Sequence, residues 1–453
     1  MPDKAVRENK MGTMPVKRLI ISMSLPMMIS MLVQAMYNVV DSIFVAWLSD
    51  KALTAASLAF PLQNFMIAVG GGTGVGINAL LSKALGEKKR DEADRAANNG
   101  IFLQLFSYAL FVIIGVFFVK TYAASLTDDP EIAGYASDYL RYICIFSFGL
   151  FMQMTFERLL QSTGRTIQSM ISQMTGAVIN MILDPIMIFG LIGFPKLGMS
   201  GAAIATVIGQ SCAAVTGLIL NLKTNKDIQL SIRKIFSPVA STIKNIYFVG
   251  VPSILMISIG SVMTYFMSII LGGFSYTAQA VFGAYFKIQS FFFLPVFGLN
   301  NGVIPVLAYN YGARKRERIM EALKFAVILA FVMMSAGTVT MLLIPKLLLM
   351  AFKATPEMLA IGIPALRIIS LHFPLAGIAI VLGSVFQAFS KSYFSLIISL
   401  ARQLIVLLPV AWLLSLTGVL QNIWWAFIIS EVASLTLTAV FFKYVKRTVV
   451  DEL

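Results

Sequence analysis

Residues 24–48 read SLPMMISMLVQAMYNVVDSIFVAWL. The run carries one charged group, Asp41, among apolar side chains. As a helix rising 1.5 Å per residue it is long enough to cross a hydrocarbon core of about 30 Å. Extended to residue 19, it gives a first span over 19–48. The basic segment Met1 to Arg18 precedes it, and no small-residue cleavage site follows. The run therefore reads as a retained span, not a removed leader.

Runs of this kind recur to the end of the chain. Apolar length and polar or Gly/Pro breaks place about twelve of them. They fall at 19–48, 57–82, 99–119, 139–160, 167–193, 201–221, 247–274, 279–309, 320–349, 359–386, 393–416 and 423–443. Several exceed a minimal span, which implies tilted or bent helices. Of the 453 residues, 58% are hydrophobic and 12% charged. Soluble domains carry about 25% charged residues, so a soluble enzyme is excluded.

The net charge of +14 does not require a nucleic-acid partner. Lys4, Arg7, Lys10, Lys17 and Arg18, then Lys88–Arg90, Arg165, Lys223–Lys244, Arg314–Arg318, Lys391 and Lys443–Arg447 all fall on one side of a twelve-span arrangement. The opposite connections are poor in Lys and Arg and include Asp128-Asp129-Pro130-Glu131. The positive-inside rule then places both termini in the cytoplasm. Cys144 and Cys212 have neither metal-like nor disulfide spacing and read as small core residues.

Shifting the chain by 226 residues against itself pairs Pro26 with Pro252, Ser42 with Ser268, Gln63 with Gln289, and Gly72, Gly76 and Gly86 with Gly298, Gly302 and Gly312. It also pairs Arg90 with Arg316, Pro130 with Pro356, Arg141 with Arg367 and Gln161 with Gln387. Each half holds about six spans, an even number, so the halves enter the membrane the same way up. The expected fold is an all-α membrane protein, with two parallel six-helix lobes related by a pseudo-two-fold along the membrane normal. Parallel repeats of this type characterise transporters. The expected domains are an N-terminus over 1–18, an N-lobe over 19–222, a cytoplasmic linker over 223–245, a C-lobe over 246–446 and a C-terminus over 447–453. Part of the linker is expected as an amphipathic helix on the membrane surface.

The glycines of Gly70-Gly71-Gly72-Thr73-Gly74-Val75-Gly76 lie inside a span, where small residues permit close helix approach. No Gly-Lys-Ser/Thr follows them, so they are not a phosphate loop. No nucleotide motif occurs elsewhere, and neither ATP nor any other cofactor is expected. No His-Glu-x-x-His or Gly-x-Ser-x-Gly stands in a span, and enzymatic activity is not expected.

Function is sought where the repeat is broken. Asp41 faces Met267 in the shifted chain, Asp184 faces Val410 and Asn180 faces Val406. A carboxylate at bilayer depth costs on the order of 3 kcal/mol and normally faces a bundle interior. Asn180 and Asp184, four residues apart, share one helix face. Pro185 and Pro26 loosen the carbonyls of Met181 and Ser22. Such a set fits a Na⁺ cage or a proton relay. Desolvation favours the neutral carboxyl, whereas bound Na⁺ or a cationic substrate keeps it ionised. The plainer reading is a carboxylate satisfied by a nearby hydroxyl or amide.

In the second half Lys287 replaces Pro61, and His372, the one histidine, replaces Phe146. Lys287 can balance the carboxylates or line a cavity. His372 reads as a packing residue near a span end, with a titrating role as the alternative. Arg141, Arg367 and Arg402 read as chains that snorkel to an interface. Gln34, Tyr37, Asn38, Gln63, Gln153, Met263, Lys287, Gln289 and Phe292 are the candidate lining of a permissive cavity, with core packing as the plainer account.

Four stretches resemble the multidrug and toxic compound extrusion family, in particular its bacterial multidrug branch. They are residues 24–48 with Asp41, GTGVGINALLSKALGEKKRDEA at 72–93, NMILDPIMIFG at 180–190 with GMSGAAIATVIGQ at 198–210, and GLNNGVIPVLAYNYGARK at 298–315. The resemblance implies a V-shaped pair of bundles in the bacterial inner membrane. They would export organic cations in exchange for Na⁺ or H⁺, with the monomer sufficient and lipids as the surroundings. It carries a cation site onto Asp41, Asn180 and Asp184, with Thr206 as a fourth member. Some relatives place acidic residues in the seventh and tenth spans. Here those spans hold none, which favours coupling through the first lobe. A lipid-linked saccharide flippase is the alternative, disfavoured because Lys287 is the chief cavity cation. A channel or receptor lacks support, since no continuous polar pore or signalling domain is apparent.

Overall fold

The computed structural model describes residues 9–453, and each regular element among them is helical. Lys4 and Arg7 lie outside the described residues. Among the described residues ten helices are long and apolar enough to cross a membrane, and the spans number twelve when each of two bent helix pairs is taken as one span. In order they are Val16–Leu48, Asp50–Gly86, Arg90–Phe117, the pair Pro130–Ile145 and Phe148–Ser162, Thr166–Phe189, Met199–Thr224, Ala240–Gly272, Tyr276–Gly312, Arg316–Leu343, the pair Pro356–Ser370 and Phe373–Ala388, Ser392–Ser415 and Leu420–Val450.

Each apolar run became one span, with ends set by capping and not by hydropathy. Ser49 and Ser275, which are repeat partners, accept the N–H groups of Ala52 and Ala278 at 3.0 Å. These caps start the second and eighth spans ahead of their apolar runs. After the same spans, Lys88 and Arg314 take positive φ. The N–H groups of Lys89 and Lys315 then return to the carbonyls of Ala84 and Asn310 at 2.9 Å. This is a Schellman-type ending, executed alike in both halves.

The fourth and tenth spans depart from the expected continuous helices. The fourth bends by 49° and the tenth by 45°. Ser147 Oγ donates to the Cys144 carbonyl at 2.8 Å at the first break. At the second, Pro374 supplies no backbone donor and its neighbour is disfavoured in a helix. His372 therefore stands at a mid-span break and not near a span end.

The chain divides into two compact units: residues 29–254, and residues 255–453 together with the stretch up to Met28. The boundaries after Met28 and Ile254 are repeat-equivalent, two residues beyond Pro26 and Pro252. The start of the first span thus packs with the second repeat. A Cβ at Gly298 would meet the Met28 Cα at 2.6 Å, and one at Gly302 the Ser24 Cα at 2.7 Å. In the other unit, a Cβ at Gly72 would meet the Ile254 nitrogen at 2.6 Å, and one at Gly76 would run into the Ile246 carbonyl oxygen. Hence the repeated glycines serve backbone-to-backbone packing.

The linker, part of which was expected to be an amphipathic helix, forms one helical turn, Ile232–Ile235. Its backbone is instead hydrogen-bonded to the third span. Asn98 Nδ2 donates to the Gln229 carbonyl at 2.9 Å, and Asn98 Oδ1 accepts from the Ser231 N–H at 2.9 Å. Asp94 accepts from the Gln229 N–H at 2.7 Å and pairs with Lys234 at 3.2 Å. Exposed Ile113, Val116 and Phe117 of the third span, and Ile328, Phe331 and Val332 of the ninth, form apolar outer faces suited to lipid.

Candidate functional site

The site lies within residues 29–254. The fifth and sixth spans touch closely at Gly176 and Gly209. A Cβ at Gly176 would meet the Gly209 carbonyl oxygen at 2.9 Å, and one at Gly209 the Gly176 carbonyl oxygen at 2.7 Å. This approach brings Asn180 against Thr206. Asn180 Nδ2 donates to Thr206 Oγ1 at 3.3 Å and to Asp184 Oδ1 at 3.2 Å. Thr206 spends its own proton on the Ala202 carbonyl at 3.0 Å, leaving its lone pairs for Asn180.

The first span brings Asp41 to the same point, where its carboxyl meets that of Asp184 within hydrogen-bonding reach. Asp184 is fully buried, and Asn180 and Thr206 nearly so. No donor among the described residues reaches Asp41 Oδ1, Asp184 Oδ2 or Asn180 Oδ1. Buried polar oxygens rarely stay unpaired, because leaving one unmade costs roughly 1–3 kcal/mol. Two facing carboxyls with an adjacent amide oxygen can share a proton or coordinate a small hard cation. Among the described residues no group of three or more His, Cys, Asp or Glu could hold a metal. The side chains gathered here, Asp41, Asn180, Asp184 and Thr206, offer oxygens, which suit hard cations.

Two tyrosines flank the pair. Tyr37 is half-buried, one turn before Asp41, and within electrostatic reach of both carboxyls. Tyr139 is buried, within the same reach, and its hydroxyl donates to Gln63 Oε1 at 3.5 Å. The sequence reading omitted Tyr139. Its signal was present, since the repeat partner is Ala365, an asymmetry of the same kind as Asp41 against Met267.

The remaining candidates scatter. Gln34 accepts from Gln173 Nε2 at 3.1 Å, and Asn38 is exposed with its carbonyl bonded to Ser42 at 2.8 Å. Gln153 turns to Glu157 at 2.9 Å. In the other unit Lys287 is exposed, Gln289 half-buried and Met263 buried. Phe292 packs against the Phe373 ring with centroids 6.1 Å apart. Met263 and Phe292 thus make core contacts. Arg402 does not snorkel outward, for its Nη1 lies 3.5 Å from Oε2 of buried Glu431.

With this geometry in hand, similarity to known proteins is informative. The MatE family profile matches residues 26–186 and again residues 252–413, so its two copies start 226 residues apart. The multidrug export protein MepA of Staphylococcus haemolyticus is 26% identical over 425 residues, covering 94% of this chain and 92% of its own. A Shewanella oneidensis protein named as an FAD transporter is 25% identical and covers 88% of each chain. An outward-facing structure of a multidrug resistance MATE family transporter of the MOP superfamily superposes with a TM-score of 0.92, at 24% identity, over 98% of this chain and 100% of that one. The twelve apolar spans, the doubled profile and near full-length similarity agree: this chain belongs to the MatE family, the multidrug and toxic compound extrusion transporters.

Proposed function

We propose that the protein is a secondary-active antiporter. It exports lipophilic or cationic drugs or toxic metabolites in exchange for Na⁺ or H⁺ by alternating access, from a plasma membrane with both termini cytoplasmic. The contact between Asp41 and Asp184 carries the reading. Two ionised carboxylates in contact repel by roughly 4 kcal/mol at an effective dielectric of about 20. The pair therefore needs one positive charge, and a proton or Na⁺ supplies it. An organic cation near Tyr37 competes for the same negative charge, with the ring face and carboxylates as its counter-ions. Loading the pair thus expels substrate, and substrate arrival expels the ion. One relative is named a multidrug export protein, which supports export, and the other an FAD transporter, which leaves the solute class broad. A lipid-linked saccharide flippase is not favoured.

The test is transport of a fluorescent organic cation in proteoliposomes under separately imposed Na⁺ and pH gradients. Movement driven by one gradient and lost in Asp184→Asn supports the proposal. Movement that ignores both gradients, or survives undiminished in folded Asp184→Asn, overturns it.

A further inference from the structure

Residues 255–453 contain a second buried polar cluster, which the Asp41–Asp184 reading leaves unused. Glu431 of the twelfth span is 2% exposed. Its Oε2 lies 3.5 Å from Arg402 Nη1, and no donor among the described residues reaches Oε1. Tyr285 is fully buried, its hydroxyl has no partner among the described residues, and it lies within electrostatic reach of both Glu431 and Arg402. The Ser434 hydroxyl, three residues beyond Glu431, is also buried without a partner among the described residues. Phe427, one turn before Glu431, has its ring 5.7 Å from Tyr285 and 6.0 Å from His372. His372 is held by the Ile369 carbonyl, 2.6 Å from Nδ1.

The backbone around this cluster is irregular. Arg402 lies in a π-helical stretch, Ala401–Leu407. His372 lies at the 45° break of the tenth span. Such irregularities recur at functional sites and permit local shifts of helical register. At 3.5 Å the Glu431–Arg402 pair is longer than the 2.7–2.9 Å of a charge-assisted hydrogen bond. The guanidinium also distinguishes this cluster from Asp41–Asp184. It repels a metal cation, but a proton on Glu431 neutralises the carboxylate and leaves Arg402 without its counter-charge.

We propose that Glu431 is a second exchangeable-proton site, independent of the Asp41–Asp184 pair. Hydronium gives its proton to the Glu431 carboxylate, one O–H bond breaking as another forms and a neutral water leaving; the ion pair opens, and Arg402 is released. Loss of that proton closes the pair again. The other elements packed against the twelfth span bring few titratable groups. The eleventh span adds Tyr393, and the first segment of the tenth adds Glu357 and Arg367. Arg367 donates to the Leu342 carbonyl at 3.3 Å. The terminal π turn adds Lys446 and Arg447, and the second segment of the tenth adds none.

The test is infrared difference spectroscopy of the full chain in lipid nanodiscs between alkaline and acidic buffer, reading the protonated-carboxyl band. With Asp41→Asn, Asp184→Asn and Glu157→Gln combined, a buried-carboxyl band persists and is lost on adding Glu431→Gln. Its absence before Glu431→Gln, or its undiminished survival afterwards, overturns the proposal; Asp94→Asn is included in every combined variant because Asp94 is a further buried carboxyl. Should the multiple variant not fold, Glu431→Gln alone removes one component of the native spectrum. Arg402→Gln moves that component's midpoint to higher pH, because the neighbouring guanidinium favours the ionised carboxylate. An unmoved midpoint overturns the pairing. Since Asp41 and Asp184 are neutralised in the first arm, failure here is distinct from failure of the antiport reading.

Discussion

Asn180→Val separates the two coupling ions that the proposed Asp41–Asp184 site would admit. Valine is what the second half carries at the equivalent position, Val406, so the side chain fits a helix in this fold. The substitution removes two things at once. One is the Nδ2 donor 3.2 Å from Asp184 Oδ1. The other is the unpartnered Oδ1, an oxygen available to a cation. A hydrogen bond to a charged group contributes about 1.5–3 kcal/mol. Each 1.4 kcal/mol is tenfold in affinity, so the change is about tenfold to a hundredfold. Its sign depends on the ion. If the ion is a proton, losing a donor to the carboxylate strengthens protonation, and apparent proton affinity rises. If the ion is Na⁺, losing an oxygen ligand weakens binding, and apparent Na⁺ affinity falls. The assay is substrate efflux from proteoliposomes as a function of pH at fixed Na⁺, and of Na⁺ at fixed pH. An unchanged dependence on both ions would refute the assignment of Asn180 to the ion site.

Gly76→Val places a side chain against the Ile246 backbone, so the thermal midpoint of the purified protein falls. Overpacking costs about 1–3 kcal/mol, and backbone cannot step aside as a side chain does. Gly134→Ala, with nothing within 4 Å of its new Cβ, leaves the midpoint within error. Asn98→Ala frees the linker from the third span, so trypsin cuts faster at Lys226, Arg233 and Lys234; an unchanged rate contradicts the docking. Lys51 pairs with Asp129 at 3.0 Å and Glu131 at 2.7 Å, and its ammonium holds the Asp129 carboxyl below the ordinary range. A lowered folded-state value stabilises above the unfolded value of about 3.9 and is lost as pH falls through the folded one. Lys51→Met therefore lowers the thermal midpoint slightly at neutral pH, and the difference closes in strong acid or high salt.

The span order was legible because the bilayer fixes how much apolar chain a helix needs, and the repeat was legible because both halves reuse the same caps, glycines and prolines. Asp41, Asn180 and Asp184 stood out for lacking partners in the second half, and the fold brings them together. Other features left weaker traces. The break at Ser147 rests on one hydroxyl bonding a carbonyl, which composition does not reveal, whereas Pro374, a visible signal for the break after His372, went unread. The repacking of residues 9–28 with the second repeat is tertiary, and only the paired glycines hinted at it. Arg402 read as a snorkelling chain because its partner, Glu431, lies 29 positions away on the next span. Tyr139 was overlooked because an aromatic in an apolar run reads as packing.

The central claim is that ion and substrate exclude one another at Asp41 and Asp184. It is tested most directly by equilibrium binding of the organic cation to detergent-purified protein, recorded with proton release in weak buffer and with a Na⁺ titration. The account predicts that binding releases protons or is weakened competitively by Na⁺, and that folded Asp41→Asn loses that linkage. Binding by the native protein that neither releases protons nor responds to Na⁺ would contradict it.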